Sequence, residues 1–309
     1  YPSVLPTIYE SLMESQYWTA ERRTEAQRRN LGALVRFARA EVPFYKSRLD
    51  AIFTPSGDID WDRWNEVPIL TRAEVIKGGD ALLPPQLPPG HGGLIEGFTS
   101  GSTGAPLRVV QSTLSNIVLT AGFYRCQAWY GMDWSRDMVV WFGENPEKGM
   151  LPDGEPGARW GPLWMDRATG RRINVNRFIG ASDLLSVMER RGAGYLSARP
   201  MAAQAAALEA LRLGRNIKLD AVLAFSTGAR PDEVEDCRKA FGAKMIVPYS
   251  AKEGQGMAYQ CPTGTHFHIN EESELVEIVD ADGCACPPGQ MGRVVVTPIY
   301  NYAQPLVRY

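Results

Sequence analysis

Residues 221–250 read AVLAFSTGARPDEVEDCRKAFGAKMIVPYS, and no other stretch indicates the fold class as clearly. The apolar run at 221–228 predicts a strand that enters a turn, and Pro231 suits the first position of a helix. A second apolar run at 244–250 predicts the next strand. A strand, a helix and another strand in this order indicate a parallel sheet.

The flanking segments extend this pattern. DMVVWFG at 137–143 predicts a buried strand, and residues 144–172 predict an irregular excursion. Ser182 is a predicted cap for a helix that ends at Gly192, and an Ala/Leu-rich helix follows at 201–214. After 260, the alternating runs SELVEIVDADG and GRVVVTP predict an antiparallel sheet or small barrel.

The first 93 residues predict mainly helices. One helix is expected over 19–42, ended by Pro43, and a shorter one after Thr71, with Glu74 completing a capping box. The Pro- and Gly-rich run at 82–93 predicts a break in regular structure. We therefore expect an α/β fold with parallel-sheet subdomains and an additional antiparallel sheet. Its predicted parts are a helical segment 1–90, an α/β core 91–259 and an antiparallel β subdomain 260–309.

Composition excludes several classes of protein. The 309 residues are 44% hydrophobic and 22% charged, with a net charge of −2, so no basic field attracts nucleic acid or an anionic membrane. The basic stretch at 21–29 contains acidic residues and predicts a solvated helix face. No apolar run predicts a membrane span, and the N-terminal residues do not resemble a signal peptide. Five cysteines, an odd number, favour reduced thiols and a cytoplasmic protein.

The stretch FTSGSTGAPLRVV at 98–110 combines small and hydroxylated residues in one loop. Such residues let the backbone approach a ligand, and amide N–H groups with short hydroxyls can surround a phosphate. The Gly-Lys-Ser/Thr of a Walker loop does not follow. Composition alone leaves two alternatives, a phosphate-binding loop and a flexible Gly/Ser loop.

Several motifs resemble one family. TSGSTGAP at 99–106 resembles the phosphate loop of adenylate-forming enzymes, the superfamily of acyl-CoA synthetases and adenylation domains. Other stretches are similar to successive segments of phenylacetate-CoA ligases. These are VRFARAEVPFYKSRL with VPILTRAEV, the stretch from 225 to 254, QCPTGTHFHINEESELVEIVD and the final PLVRY. The resemblance covers about residues 30–309.

The resemblance implies the large N-terminal domain of an AMP-forming acid–thiol ligase. Such an enzyme activates a carboxylic acid, here an aryl acid, with ATP as an acyl-adenylate and then forms a thioester with CoA. It implies Mg²⁺ at Glu253, adenine on Tyr249 and a nucleotide-binding turn at Gly228, Ala229 and Arg230. The phosphates would be held by Thr99, Ser100, Gly101, Ser102, Thr103 and Gly104. From the residues alone, Tyr249 could equally be core, Glu253 a solvated loop acid and 228–231 a simple helix start.

Two departures from the family pattern leave alternatives open. The family motif Tyr-Gly-x-Ser/Thr-Glu reads Tyr249-Ser250-Ala251-Lys252-Glu253 here, with Ser250 expected near the nucleotide. Lys252 could serve as a point charge for phosphate, or mark altered or lost adenylation. Ala105 replaces a lysine often found beside the loop proline, and Arg108 is a candidate substitute.

The sequence stops before the family's ribose-binding Asp, hinge and small C-terminal domain. We therefore expect the C-terminal domain to be absent from this chain, with weak nucleotide binding and poor catalysis by the chain alone.

Cysteines and histidines after residue 260 suggest a metal site. Sulfur and imidazole are zinc ligands, although this spacing is not that of a zinc finger. The resemblance favours Cys261 and His268 ahead of His266. Cys284 and Cys286 are a further candidate pair, and ordinary free thiols are the alternative.

The substrate pocket and the acceptor are the least determined by sequence. Trp141 and Phe142, at a strand end, could line an aromatic acid pocket or pack in the core. We expect a small carboxylic acid, ATP and CoA as partners, no nucleic acid or membrane, and allow for a homodimer. The alternatives are transfer to a carrier protein or a polysaccharide-pathway acceptor, and a degenerate nucleotide-binding module.

Overall fold

The computed structural model describes residues 4–99, 106–141, 154–165 and 169–309, and the chain divides into two units. Unit 1 comprises Tyr1–Arg125, Ser250–Ala258 and His268–Tyr309, and unit 2 comprises Cys126–Tyr249 and Tyr259–Phe267. The predicted segments 1–90, 91–259 and 260–309 divide the chain differently, and as domains they stay a prediction.

Helices and strands alternate through the described part of the chain. The helices are α1 (Val4–Ser15), α2 (Ala20–Glu41), α3 (Arg72–Gly78), α4 (Thr113–Trp129), α5 (Ala181–Arg191), α6 (Pro200–Leu213) and α7 (Pro231–Phe241). The first strands are β1 (Leu94–Phe98), β2 (Arg108–Ser112), β3 (Met138–Trp141), β4 (Glu155–Arg159), β5 (Arg171–Val175), β6 (Tyr195–Ala198), β7 (Ala221–Ala224) and β8 (Lys244–Ile246). The remaining strands are β9 (Pro248–Ala251), β10 (Gln255–Gln260), β11 (Phe267–Ile269), β12 (Glu274–Val279) and β13 (Arg293–Pro298).

Unit 2 is built on a six-stranded sheet of order β4-β5-β3-β6-β7-β8. Strands β5, β3, β6, β7 and β8 pair in parallel, and β4 is an antiparallel edge strand. The segments β6–α6–β7 and β7–α7–β8 are the crossover units of a parallel sheet. The apolar residues of β3, β5, β6 and β7 enter one core with the inner faces of α5, α6 and α7. The predicted parallel α/β fold is therefore confirmed.

Helix ends in unit 2 follow local chemistry. Pro200 and Pro231 occupy the first turn of α6 and α7, where a missing N–H costs no hydrogen bond. Gly192 and Gly214 end α5 and α6 in the left-handed conformation, with φ of 56° and 64°. The prediction that Ser182 caps α5 is wrong, because Gly180 is the capping residue and Ser182 lies inside the helix.

The excursion predicted at 144–172 is more regular than expected. Its described part contains β4, and β5 begins at Arg171. Strand β5 alternates polar residues with the buried Ile173 and Val175, whereas β4 is polar and mainly exposed and lacks the apolar alternation that identifies a strand. Pairing with β5 across a register shift between Pro156 and Arg159 supplies the order instead.

Unit 1 contains the N-terminal helices and two antiparallel strand pairs, β1–β2 and β12–β13. The predicted antiparallel pairing after 260 is confirmed, with Val276 opposite Val296. Helix α2 matches the predicted helix, and α3 begins with the expected reciprocal bonds between Thr71 and Glu74. Helix α1 was not predicted. Strands β9, β10 and β11 form a further three-stranded sheet.

The core of unit 1 joins residues far apart in sequence. The buried face of α2, including Leu31 and Val35, packs in one cluster with Leu306 and Val307. Tyr45 is buried there, and its hydroxyl donates to Pro305 O at 2.8 Å and accepts from Val307 N–H at 3.1 Å. The last residues of the sequence are therefore structural parts of this unit.

Arg308 is the largest fully buried side chain, with 1% of its surface exposed. Its guanidinium donates to the carbonyls of Asn65, Val67 and Gly283 and forms an ion pair with Glu277 at 3.1 Å. A buried charge is stable only when its donors are satisfied in this way. Arg308 thus ties three separate segments of unit 1 together.

Glu274 predicts a pH dependence of stability. Its side chain is buried, and Oε2 has no hydrogen-bond partner among the described residues. Burial raises the pKa of this carboxyl well above the ordinary 4.5. Because the folded pKa exceeds the unfolded one, its stability contribution is complete below about 4.5 and is lost as the pH rises.

We therefore expect Glu274→Gln to be more stable than the wild type at pH 8, and the advantage to shrink toward pH 5. Urea unfolding at several pH values measures this difference. Glu10→Gln, an exposed change on α1, is the control and should show no such trend. An advantage independent of pH would contradict the assignment.

Candidate active site

The β1–β2 hairpin of unit 1 presents the predicted phosphate loop. Phe98 pairs with Arg108, and Thr99 N–H then donates to Leu107 O at 2.9 Å. Leu107 N–H in turn donates to Thr99 Oγ1 at 3.0 Å. These bonds fix Thr99 at the base of the loop. The other predicted loop residues, Ser100, Gly101, Ser102, Thr103 and Gly104, lie outside the described residues, as does Phe142.

Three further side chains meet at this base. Arg72 Nη2 donates to Thr99 Oγ1 at 3.2 Å, and Arg72 Nη1 lies 3.5 Å from Glu253 Oε1. The Tyr309 hydroxyl donates to the same Glu253 oxygen at 3.3 Å. Burial, reinforced by the Glu253 charge, raises the pKa of Tyr309. The cluster places a carboxylate, a guanidinium and a phenol beside the start of the loop.

Glu253 is suited to a cation. Its side chain is only 13% exposed, and Oε2 has no hydrogen-bond partner among the residues that the structure describes. A carboxylate oxygen is the ligand type that Mg²⁺ prefers. The alternative of a solvated loop acid does not fit, because the carboxylate is held from two sides by Arg72 and Tyr309.

Backbone structure fixes each member of this cluster. Arg72 is the first residue of α3, whose start is set by the Thr71–Glu74 capping box. The backbone of Tyr309 exchanges two hydrogen bonds with Val296 of β13, at 2.8 and 3.0 Å. Glu253 is the second residue after β9.

Lys252 lies against the same hairpin. Its Nζ donates to Phe98 O at 3.2 Å, and Gln111 Nε2 donates to Lys252 O at 3.1 Å. A Cβ at Gly97 would lie 2.7 Å from Nζ, so the end of the lysine side chain crosses β1 over the space that a side chain at this position would occupy. The ammonium is therefore held next to Thr99, where a point charge could face phosphate oxygens.

Arg108 is not free to replace the missing loop lysine. Its guanidinium pairs with Glu96 at 2.7 Å and with Asp80 at 2.7 Å. These hydrogen bonds raise the pKa of Arg108 and lower that of Glu96. The candidate substitution of Arg108 is therefore corrected, since both carboxylates already satisfy its charge.

The other predicted nucleotide contacts belong to unit 2, apart from Ser250. Strands β7 and β8 are parallel neighbours, so the residues after their carboxyl ends share one edge of the sheet. Gly228, Ala229 and Arg230 follow β7, and Tyr249 follows β8. A Cβ at Gly228 would meet nothing within 4 Å, so a ligand can approach this backbone.

Tyr249 is not a core residue. Its surface is 44% exposed, and its ring packs edge-on against Phe267 at a centroid distance of 6.4 Å. One face of the phenol ring can therefore accept a planar partner. Arg230 caps α7 instead of projecting freely, with ion pairs to Asp232 at 3.1 Å and Glu233 at 3.2 Å.

Trp141 is corrected from pocket to core. Its side chain is buried among the apolar residues of unit 2, and its Nε1–H donates to Asn176 O at 3.2 Å. The ring packs in the core and its N–H is hydrogen-bonded, so the indole leaves no surface for an acid to bind.

The predicted metal ligands divide into two sets. The ligand atoms of Cys261, His266 and His268 lie within 4.8 Å of one another at the β10–β11 hairpin. Thr263 bonding and the nearby His266 lower the pKa of the Cys261 thiol. Cys284 and Cys286 are not part of this group among the described residues. They flank Ala285, which forms an isolated bridge with Val279, the last residue of β12.

Sequence reasoning missed Arg72 and Tyr309 as site residues. Tyr309 belongs to the PLVRY motif, and Arg72 to VPILTRAEV, so both motifs carried the resemblance without an assigned role. No local pattern distinguishes Arg72, because its partner Glu253 lies 181 positions away.

No protein-family model matches the chain, and no curated protein matches its sequence. Solved structures do match. An open conformation of 2-hydroxyisobutyryl-CoA ligase with 2-HIB-AMP and CoA gives a TM-score of 0.73 at 18% identity, covering 94% of this chain and 69% of that chain. The same ligase in the postadenylation state with 2-HIB-AMP also gives 0.73 at 18% identity, covering 94% and 62%.

The chain has the fold of an adenylate-forming enzyme. VinN is also similar, with a TM-score of 0.50 at 17% identity over 84% of this chain and 67% of that chain. The predicted fold is thus confirmed, and the superfamily and its phenylacetate-CoA ligase branch stay predictions. The chain spans 62% to 69% of the length of the two ligase structures.

No helix in the described ranges is long and apolar enough to cross a membrane.

Proposed function

We propose that this chain is the large part of an AMP-forming acid–thiol ligase. The ligase activates a carboxylic acid with ATP, releasing pyrophosphate, and transfers the acyl group from the adenylate to the thiol of CoA. The observation that carries the proposal is the cluster of Arg72, Glu253 and Tyr309 at Thr99, the base of the Ser/Thr/Gly loop. It stands on the fold shared with a ligase crystallised with an acyl-adenylate and CoA.

The residues have complementary parts in this proposal. Glu253 would hold Mg²⁺, which when bound neutralises charge on the phosphates. Arg72 and Lys252 are cations next to the loop, and their charges would stabilise the phosphates as the carboxylate attacks. Tyr309 orients Glu253 through its hydroxyl. The loop residues 99–104 would supply amides and hydroxyls to the phosphates.

The sequence resemblance assigns the adenine contacts to residues of unit 2. The exposed ring of Tyr249 would stack on adenine, and the backbone at Gly228 and Ala229 would face the base. Ser250 stays a proposed nucleotide contact. These assignments rest on exposure and on the strand edge, together with the sequence resemblance.

The substrate and the setting are finer proposals. We propose an aryl acid, as in the phenylacetate-CoA ligases that the sequence resembles, and a cytoplasmic protein with reduced thiols. The division into segments 1–90, 91–259 and 260–309, a separate C-terminal domain and a homodimer are also proposals.

The test is ATP–pyrophosphate exchange by the full-length gene product with a panel of aryl and alkyl acids, without CoA. Exchange stimulated by one acid supports adenylation and identifies the substrate class. CoA consumption then tests the second step. Absence of exchange with every acid, while ATP still binds, would remove the ligase assignment and favour a nucleotide-binding module.

Lys252 gives a separate prediction. If its ammonium serves as a point charge for phosphate, Lys252→Ala should lower exchange about 10- to 100-fold, and Lys252→Arg should retain more activity. Lys77→Ala, on α3, is the matched control and should leave exchange unchanged. Equal exchange in wild type and Lys252→Ala would show that the lysine does not act on the phosphates.

We also propose zinc at Cys261, His266 and His268, because sulfur and imidazole match its preferred ligands. Three protein ligands leave one position for water or another group. Metal analysis of purified protein should give about one zinc per chain, and Cys261→Ser should lose most of it. Cys284→Ser should keep the metal. Less than stoichiometric metal after reconstitution with zinc would end this proposal.

A further inference from the structure

A cavity of about 280 Å³ lies within unit 1, apart from the residues of the candidate active site. We call it the helical cavity. Its apolar wall includes Ile8 and Leu12 of α1 and Val118 of α4, and its polar wall includes Arg29 and Asn30 of α2 and Tyr300. The volume is at the lower end of the range of small-molecule sites, and the walls are mainly apolar.

Helical spacing explains why the cavity exists. Ile8, Leu12 and Ser15 occupy one face of α1 at intervals of four and three residues. Ala26 and Asn30 occupy the facing side of α2 at the same interval. The side chains at Ser15 and Ala26 are small, so the two helices do not fill the space between them.

The acidic group in the cavity is already satisfied. Glu272 accepts from Arg125 Nη1 at 2.6 Å and from Ser15 Oγ at 2.6 Å. Arg125 is almost fully buried, so this ion pair is part of the structure. Arg23, at the cavity mouth, is likewise paired with Glu271 at 2.8 Å.

Arg29 also lines the cavity, and it belongs to neither of these ion pairs. No carboxylate pairs with it among the described residues, and its charge acts on Tyr300, lowering the pKa that burial otherwise raises. The Tyr300 hydroxyl accepts from Asn30 Nδ2 at 3.1 Å, which leaves its own proton for an acceptor. The polar wall therefore offers donors and one uncompensated positive charge.

We propose that the helical cavity binds a small apolar molecule with a single carboxylate. The carboxylate lies between the Arg29 guanidinium and the Tyr300 hydroxyl, since a guanidinium matches a carboxylate in geometry and charge. The apolar body contacts Ile8, Leu12 and Val118. This site goes beyond the proposed function, because it shares no residue with the cluster at Thr99.

Benzoate is the probe and benzamide its neutral counterpart, measured by titration calorimetry on the full chain. We expect benzoate to bind at least about tenfold more tightly than benzamide, and Arg29→Gln to weaken benzoate about tenfold. Arg28→Gln is the matched control, because Arg28 lies 6.0 Å from the Trp61 ring and does not line the cavity. Val118→Trp should fill the cavity and abolish binding.

Equal benzoate affinity in the wild type and Arg29→Gln, or no benzoate binding at millimolar concentration, would overturn the proposal. The pair of arginine variants also separates this site from acid binding elsewhere. If benzoate binding depends on Arg29 but no ATP–pyrophosphate exchange occurs, the ligase function is removed and this site remains. Exchange without such binding would remove only this site.

Discussion

Glu253→Gln is expected to lower ATP–pyrophosphate exchange about 10²- to 10³-fold while leaving the protein folded. The amide keeps an oxygen that can accept from Tyr309, so the cluster retains its shape. It loses the negative charge that would hold Mg²⁺ against the phosphates. Exchange rates at several Mg²⁺ concentrations measure the effect, and high Mg²⁺ should recover part of the loss.

The matched control for this change is Glu235→Gln. Glu235 lies on α7 in an exposed ion pair with Arg238 at 2.7 Å, and it has no proposed role at the phosphate loop. It should keep wild-type exchange. Exchange by Glu253→Gln within about threefold of wild type would remove Glu253 from its proposed metal role.

Arg308→Met is expected to lower the free energy of unfolding by about 3–5 kcal/mol. Methionine occupies a similar volume but leaves the Glu277 carboxylate and the carbonyls of Asn65, Val67 and Gly283 without their donor. A buried charge without its partner costs more than the original pair contributed. Urea unfolding measures the change.

Two variants make this result specific. Arg308→Lys keeps the charge but cannot reach all the acceptors, so an intermediate loss is expected. Arg238→Met removes an exposed arginine of the same size and should change stability by less than about 0.5 kcal/mol. A loss below about 1 kcal/mol for Arg308→Met would show that the segments hold together without it.

The local chemistry of the sequence predicted several element ends. The reciprocal bonds of Thr71 and Glu74, and the left-handed Gly214 after α6, depend on residues within four positions of one another. Parallel pairing also followed from the order of apolar runs. Such features are encoded by short spacing, which a sequence displays directly.

Elements without a strong local signal were missed. Strand β4 is mainly exposed, and its order comes from pairing with β5. Ser182 was preferred as a cap for its hydroxyl, but the capping residue is Gly180, two positions earlier, where the backbone is extended, and the helix starts at Ala181. Tertiary pairing decides such ends more than residue preference does.

Motifs in the sequence predicted some of the site residues, but the sequence did not predict which side chains meet in space. Thr99 and Glu253 came from the resemblance, while Arg72 is 181 positions from Glu253 in sequence. No periodicity connects residues at that distance. The same limit applies to Trp141, because an apolar strand end can face a pocket or a core, and only the packing distinguishes them.

Unit 1 is made of three separate stretches of the chain, so it cannot fold completely early in protein synthesis. Tyr45 bonds to Pro305, 260 positions later, so the core around α2 cannot close until the ribosome has made residue 305. The main stretch of unit 2, Cys126–Tyr249, emerges earlier and can fold first. At about 5–20 residues per second, residues 250–309 take roughly 3–12 s to translate. During that interval the apolar face of α2 has no completed core to enter.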